Sequence, residues 1–118
     1  MTPDRATIET LIRILAQAEG LPVEVCLRQC AAESSFRPEA RSPRGALGLF
    51  QLMPGTAADL KVNPQVWTQN VYGGIRYLAK LREHFHGDLR RALAAYNWGP
   101  GNVTRAIHGY GEAWETPI

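Results

Sequence analysis

The chain has 118 residues, 45% of them hydrophobic, which is enough for one domain with a real core and too little for two. Thirteen basic residues against eleven acidic ones give a formal charge of +2, so no strong field points to nucleic acid, although a mildly cationic surface suits an anionic polymer. No segment approaches membrane-spanning length, and MTPDRATIET carries acidic residues in place of the apolar run of a secretory signal.

In chain order, Ile8, Leu11, Ile12 and Leu15 recur at helical spacing behind Thr2 and Pro3, which read as a cap and a first-turn proline, and Gly20 stops the pattern. A second helix opens at Pro22 and runs its apolar stripe through Val23, Cys26, Leu27, Cys30 and Ala31 to Ser34 or Ser35. A loop follows from Phe36 through Gly48, with room for at most a small hairpin near Ala46 to Gln51. A short helix is predicted over 51–60, a longer one over 70–85 with Val71, Ile75, Leu78, Leu81 and Phe85 on one face, and another over 88–98. Pro100 and Gly101 then separate off a short final turn through Val103, Ala106 and Ile107. No strand pattern and no repeat competes, so the expected fold is a single all-α domain over 1–118, with helix packed on helix.

Cys26 and Cys30, four apart in a helix, are awkwardly placed for a disulfide and read as small core residues. His84, His86 and His108 lack partners at zinc-site spacing, so neither a metal nor a cofactor is expected.

Glu33 carries the sharpest chemical signal. It lies seven residues after Cys26 and three after Cys30, so helical periodicity puts its carboxylate on the core-facing stripe. Burial and the nearby negative end of the helix dipole both disfavour the ionised form and raise the pKa. A carboxyl that keeps its proton is what glycosidic cleavage requires, because the departing sugar oxygen must be protonated as the bond breaks. A lone glutamate on a helix is ordinarily a surface residue, so its neighbours decide the matter. The stretch 45–54 offers two glycines where a backbone can approach a ligand, followed by the Gln51 amide, although an ordinary turn would look similar. Tyr96, Asn97 and Trp98 gather a phenol, an amide and an indole at a helix end, groups whose flat faces and polar tips suit sugar rings.

Together AAESSF, GALGLFQLMPGTA, the segment from Asn70 to Leu78 and ALAAYNWGPGNV resemble, in order and spacing, the catalytic domain of soluble lytic transglycosylases over residues 5 to 110. The resemblance implies a lysozyme-like helical fold, related to goose-type lysozymes, with a cleft for a peptidoglycan strand cut between N-acetylmuramic acid and N-acetylglucosamine. It places Glu33 as catalytic acid and base, Ser34 as the residue that orients the reacting sugar, and Gln51, Met53, Tyr77, Tyr96 and Asn97 along the cleft. Two departures stand out: Phe50 where relatives often carry methionine, and Trp98 where a small residue is usual, both enlarging side chains near the expected cleft. Many relatives continue with another helix past the point where this chain stops, which suggests a minimal or excised domain.

The implied product is a 1,6-anhydromuramic acid end. Two rivals remain open: a lysozyme-like hydrolase, which needs a positioned water, and a non-catalytic glycan-binding or assembly module. Arg37, Arg41 and Arg44 could meet acidic peptide stems or could be ordinary solvated surface. The expected partner is the glycan strand, with no nucleic acid and no membrane span, and the expected state is a monomer, alone or within a larger assembly. Delivery to the periplasmic wall would follow removal of an export signal, or proceed through a virus particle, a lysis system or a secretion machine.

Overall fold

The computed structural model describes residues 2–110, among which six helices and no strands are found. They are α1 (Arg5–Ala18), α2 (Val23–Ser34), α3 (Pro54–Leu60), α4 (Trp67–His84), α5 (Leu89–Trp98) and α6 (Pro100–Tyr110). The residues group into two units, Met1–Tyr77 and Leu78–Ile118.

In the first unit α1 packs on α2. The helix α1 starts two residues later than a cap at Thr2 would place it: Asp4 is the N-cap, its carboxylate accepting from the Thr7 amide at 2.8 Å. Ile8, Ile12 and Ala16 form its buried face. Its end is a Schellman motif, in which Gly20 at φ 69° lets the Leu21 amide reach back to the Ala16 carbonyl at 2.9 Å. Buried Leu21 turns the chain directly into α2.

Between α2 and α3 the chain forms a loop with two isolated antiparallel bridges, Arg41 with Leu47 and Leu47 with Leu52, the latter closing a tight turn over the stretch where at most a small hairpin was expected. Gln51 lies outside α3 because its φ of 50° is incompatible with a helix start, and the helix opens only at Pro54, with Met53 as N-cap. The loop is pinned by Asn70 of α4, which is 0% exposed. Its Nδ2 donates to the carbonyls of Leu47 at 2.8 Å and Pro64 at 2.9 Å, and its Oδ1 accepts from the Phe50 amide at 2.8 Å. Three backbone groups of the loop thereby gain a partner in one side chain.

The loop also needs glycines on both sides of the contact. Gly48, at φ 79°, has no room for a Cβ because the Asn70 amide occupies that space, so its lack of a side chain serves this internal contact. Gly74 on α4 lies against Phe50 so closely that a Cβ would overlap the Phe50 side chain. Phe50 itself is fully buried, which overturns its expected place beside a cleft.

In the second unit α5 packs on α6. Asp88 caps α5, accepting from the Arg91 amide at 3.1 Å and pairing with the Arg91 guanidinium at 3.3 Å. Gly99, at φ 91°, ends α5. The expected short final turn is an eleven-residue helix, since Pro100, which blocks continuation of α5, is well suited to the first position of a new helix. Val103 and Ala106 bury its inner face.

Replacing Gly74 by alanine should lower stability by about 1–3 kcal/mol, the usual cost of overpacking, despite alanine's helix propensity. Gly55→Ala, where nothing lies within 4 Å of the added carbon, should be neutral or stabilising. Urea unfolding of both variants checks the contrast.

Candidate functional site

The first unit carries Glu33, Ser34, Gln51, Met53 and Tyr77, and the second carries Tyr96 and Asn97. Glu33 sits in the last turn of α2, half-buried, with its pKa raised by burial. The Gln29 carboxamide, one turn earlier, lies 3.5 Å from Oε2, at the outer limit of a hydrogen bond. Among the described residues no cation pairs with Glu33, so the loss of hydration, which favours the protonated form, is opposed only by that long contact.

Beneath it, Ser34 is only 3% exposed and its hydroxyl donates to the Cys30 carbonyl at 3.1 Å. Cys30 is a buried thiol pushed up to about 11 by burial, Cys26 is buried too, and neither is in a disulfide, so both act as core packing. The helix then ends abruptly: Ser35 and Phe36 both adopt left-handed backbone, at φ 54° and 59°, a conformation that costs side-chain-bearing residues energy. The Arg5 guanidinium stacks over the Phe36 ring at 4.2 Å and helps hold this bend from α1.

From the bend a run of hydrogen bonds leads to Gln51. Arg37 Nε donates to the Ser34 carbonyl at 3.2 Å, the Ala40 amide to the Arg37 carbonyl at 3.1 Å, and Gln51 Nε2 to the Ala40 carbonyl at 3.1 Å and the Gly48 carbonyl at 2.8 Å. Both Gln51 amide hydrogens are therefore committed within the protein, leaving Oε1 as the group with capacity for a ligand donor. Met53 is 41% exposed. Tyr77 is half-buried, and burial raises its phenol.

In the second unit Tyr96 is half-buried, Asn97 is exposed and Trp98 is 52% exposed, an uncommon exposure for an indole. The Trp98 carbonyl accepts from Asn102 Nδ2 at 2.6 Å, which ties the end of α5 to the start of α6. Among the described residues no cluster of three or more His, Cys, Asp or Glu side chains could hold a metal ion. No described helix is long and apolar enough to cross a membrane.

The model of the family described as the transglycosylase SLT domain matches residues 10–116. The chain belongs to this family. Within the lysozyme-like superfamily its helices match those of solved relatives: the SLT domain superposes with a TM-score of 0.75 on lytic transglycosylase Slt of Pseudomonas aeruginosa, crystallised as an inactive glutamate-to-glutamine mutant. That match has 31% identity and covers 83% of this chain and 18% of the other. The 70 kDa soluble lytic transglycosylase of Escherichia coli gives a TM-score of 0.74 at 28% identity, over 84% of this chain and 18% of that one. In sequence, the SLT domain is 45% identical over 92 residues to a transglycosylase of Enterobacteria phage PRD1, covering 64% of this chain and 34% of the phage protein. It is 37% identical over 103 residues to membrane-bound lytic murein transglycosylase F of Desulfosudis oleivorans, covering 81% and 23%. The chain thus spans about a third of the phage protein and about a quarter of the bacterial one.

The residue that sequence reasoning missed is Asn70, which holds the Gln51 loop of the SLT domain in place without facing the site. Its signal was an amide beside the apolar stripe of α4, followed within a turn by Gly73 and Gly74.

The raised pKa of Glu33 makes a stability prediction. A carboxyl whose folded value lies above its unfolded one favours the folded state most when both are protonated, and that contribution is lost as pH rises through the folded value. Glu33→Gln, permanently neutral, should therefore be more stable than the parent near neutral pH, with the gap closing on acidification below the ordinary carboxylate range. Paired urea titrations across that window measure it.

Proposed function

We propose that this SLT domain cleaves the β-1,4 bond between N-acetylmuramic acid and N-acetylglucosamine in peptidoglycan, leaving a 1,6-anhydromuramic acid end. The observation that carries the reading is Glu33: a half-buried carboxyl without a cation partner and with a raised pKa, at the end of α2 in a domain of this family. The inactive glutamate-to-glutamine mutant of the Pseudomonas relative supports dependence on one carboxyl.

In the first step the Glu33 proton passes to the glycosidic oxygen as the bond from that oxygen to the muramic C1 breaks, and the acetamido oxygen of the same sugar supports the positive charge at C1. In the second step the Glu33 carboxylate takes the proton of the muramic C6 hydroxyl as that oxygen closes on C1. The carboxyl is regenerated and no water is consumed. The C6 hydroxyl is tethered to the reacting carbon, which gives it a large advantage over a free nucleophile.

Ser34 helps to orient the reacting sugar from the last turn of α2, which its hydroxyl anchors at the Cys30 carbonyl. Gln51 offers Oε1 to a sugar hydroxyl or amide N–H, Met53 gives an exposed apolar contact, and Tyr77, Tyr96 and Asn97 line the glycan strand. The cell wall is the place of action, and identity to a phage transglycosylase supports delivery with a phage particle.

Digestion of purified peptidoglycan, followed by mass spectrometry, tests the proposal. The parent should release anhydromuramic ends, and Glu33→Gln should lose about 10²- to 10⁴-fold of the rate, the usual share of a general acid and base. Reducing muramic ends would favour the hydrolase reading, and equal release by both proteins, or none by either, would remove the role assigned to Glu33.

A further inference from the structure

A cavity of about 390 Å³ lies in the first unit between the start of α1 and the start of α4, lined by Thr2, Pro3, Asp4, Thr7 and Trp67. At about 30 Å³ per water it has room for roughly thirteen, the space of one pyranose ring with its substituents. None of its lining residues has a part in the cleavage chemistry proposed above.

The fold leaves its polar groups available. The Trp67 indole N–H and the Thr2 hydroxyl have no hydrogen-bond partner among the described residues, and no described ring or cation stacks on the half-buried indole. The Asp4 carboxylate accepts from the Thr7 amide at 2.8 Å and from the Thr7 side chain, which lowers its pKa and keeps it ionised. Thr7 thus fixes the carboxylate's direction without exhausting its roughly four acceptor positions. The neighbouring Arg5 is turned to Glu9 at 3.0 Å and to the Phe36 ring, and no cation pairs with Asp4 among the described residues.

A flat indole beside a fixed carboxylate and a hydroxyl is suited to a sugar: the C–H face of the ring packs on the indole, and ring hydroxyls donate to the carboxylate. A single aromatic wall does not make a cage for an organic cation. Asp4 already occupies the Thr7 amide at the start of α1, and its charge repels anions, so the fitting sugar is an uncharged one. We propose that this cavity is a second, non-catalytic sugar site that holds an uncharged N-acetylhexosamine by stacking on Trp67 and by hydrogen bonds to Asp4 and Thr2. The sugar contacts need nothing from Glu33, whereas their use in keeping the domain on the wall rests on the cleavage reading.

Amide and indole NMR of the parent, Trp67→Leu and Asp4→Ser, titrated with a β-1,4-linked N-acetylglucosamine trisaccharide, tests the site. Serine caps a helix as well as aspartate does, so Asp4→Ser removes the carboxylate and keeps α1. In the parent the Trp67 indole N–H and the amides of Asp4, Thr7 and Trp67 should shift and saturate. Each variant should bind about two- to tenfold more weakly at the signals it retains, the scale of one aromatic contact or one hydrogen bond. Free N-acetylmuramic acid, which carries a carboxylate, should move these signals less than free N-acetylglucosamine. Signals that stay still in the parent, unchanged affinity in either variant, or an equal response to the two monosaccharides would overturn the site. A parent that binds here and releases no glycan product would sink the cleavage reading and leave the site supported, and a parent that cleaves while these signals stay still would do the reverse.

Discussion

A single buried amide sets the geometry of the loop on which the proposed site depends. Asn70 is out of water entirely, and its two donors and one acceptor position meet Leu47, Pro64 and Phe50, so the desolvation cost of the side chain is repaid only when the loop adopts this one path. Gly48 gives the amide room, and Gly74 lets Phe50 seat against α4 on the same face. The loop then presents Gln51 and Met53 from a backbone that has little freedom to relax. Pre-organisation of this kind is what binding and catalysis draw on, since groups fixed before the ligand arrives lose less entropy afterward.

Glu33 is placed by a different device. The last turn of α2 is anchored from within by the Ser34 hydroxyl and cut off by two left-handed residues, so the carboxyl sits at the point where a helix stops and a loop begins. Half-burial gives it a raised pKa while leaving a face open to substrate. Full burial would have raised the pKa further at the cost of access, and full exposure would have left an ordinary carboxylate. The intermediate environment is the one that an acid required to release and regain a proton needs.

Much of this was legible in the sequence because it follows from periodicity. The stripe through Cys26 and Cys30 placed Glu33 on the inward face of α2, and burial raises its pKa in the sense that the pattern predicts. The apolar face of α4 is likewise buried from Val71 to Phe85. What periodicity misses is contact between segments distant in sequence. Phe50 reads as a cleft residue until Gly74, 24 positions on, is seen to receive it, and Gly48 reads as a ligand contact until Asn70 fills the space. The helix α6 was hidden for another reason: Gly99 and Pro100 signal an end, and the same pair serves equally as a stop followed by a start. Gln51 was singled out as an amide that grips a sugar, and both its donors turn inward, a commitment no local pattern reveals.

Glu33 holds its proton more tightly than an exposed carboxyl does, and a site-resolved titration is the direct test. Carbon-detected NMR of the side-chain carboxyls across an acid-to-neutral series, with the Glu33 resonance assigned by its absence in Glu33→Gln, gives the midpoint beside those of the other glutamates in the same spectrum. The account predicts a midpoint above the exposed glutamates. A Glu33 midpoint level with theirs, or below, would contradict it.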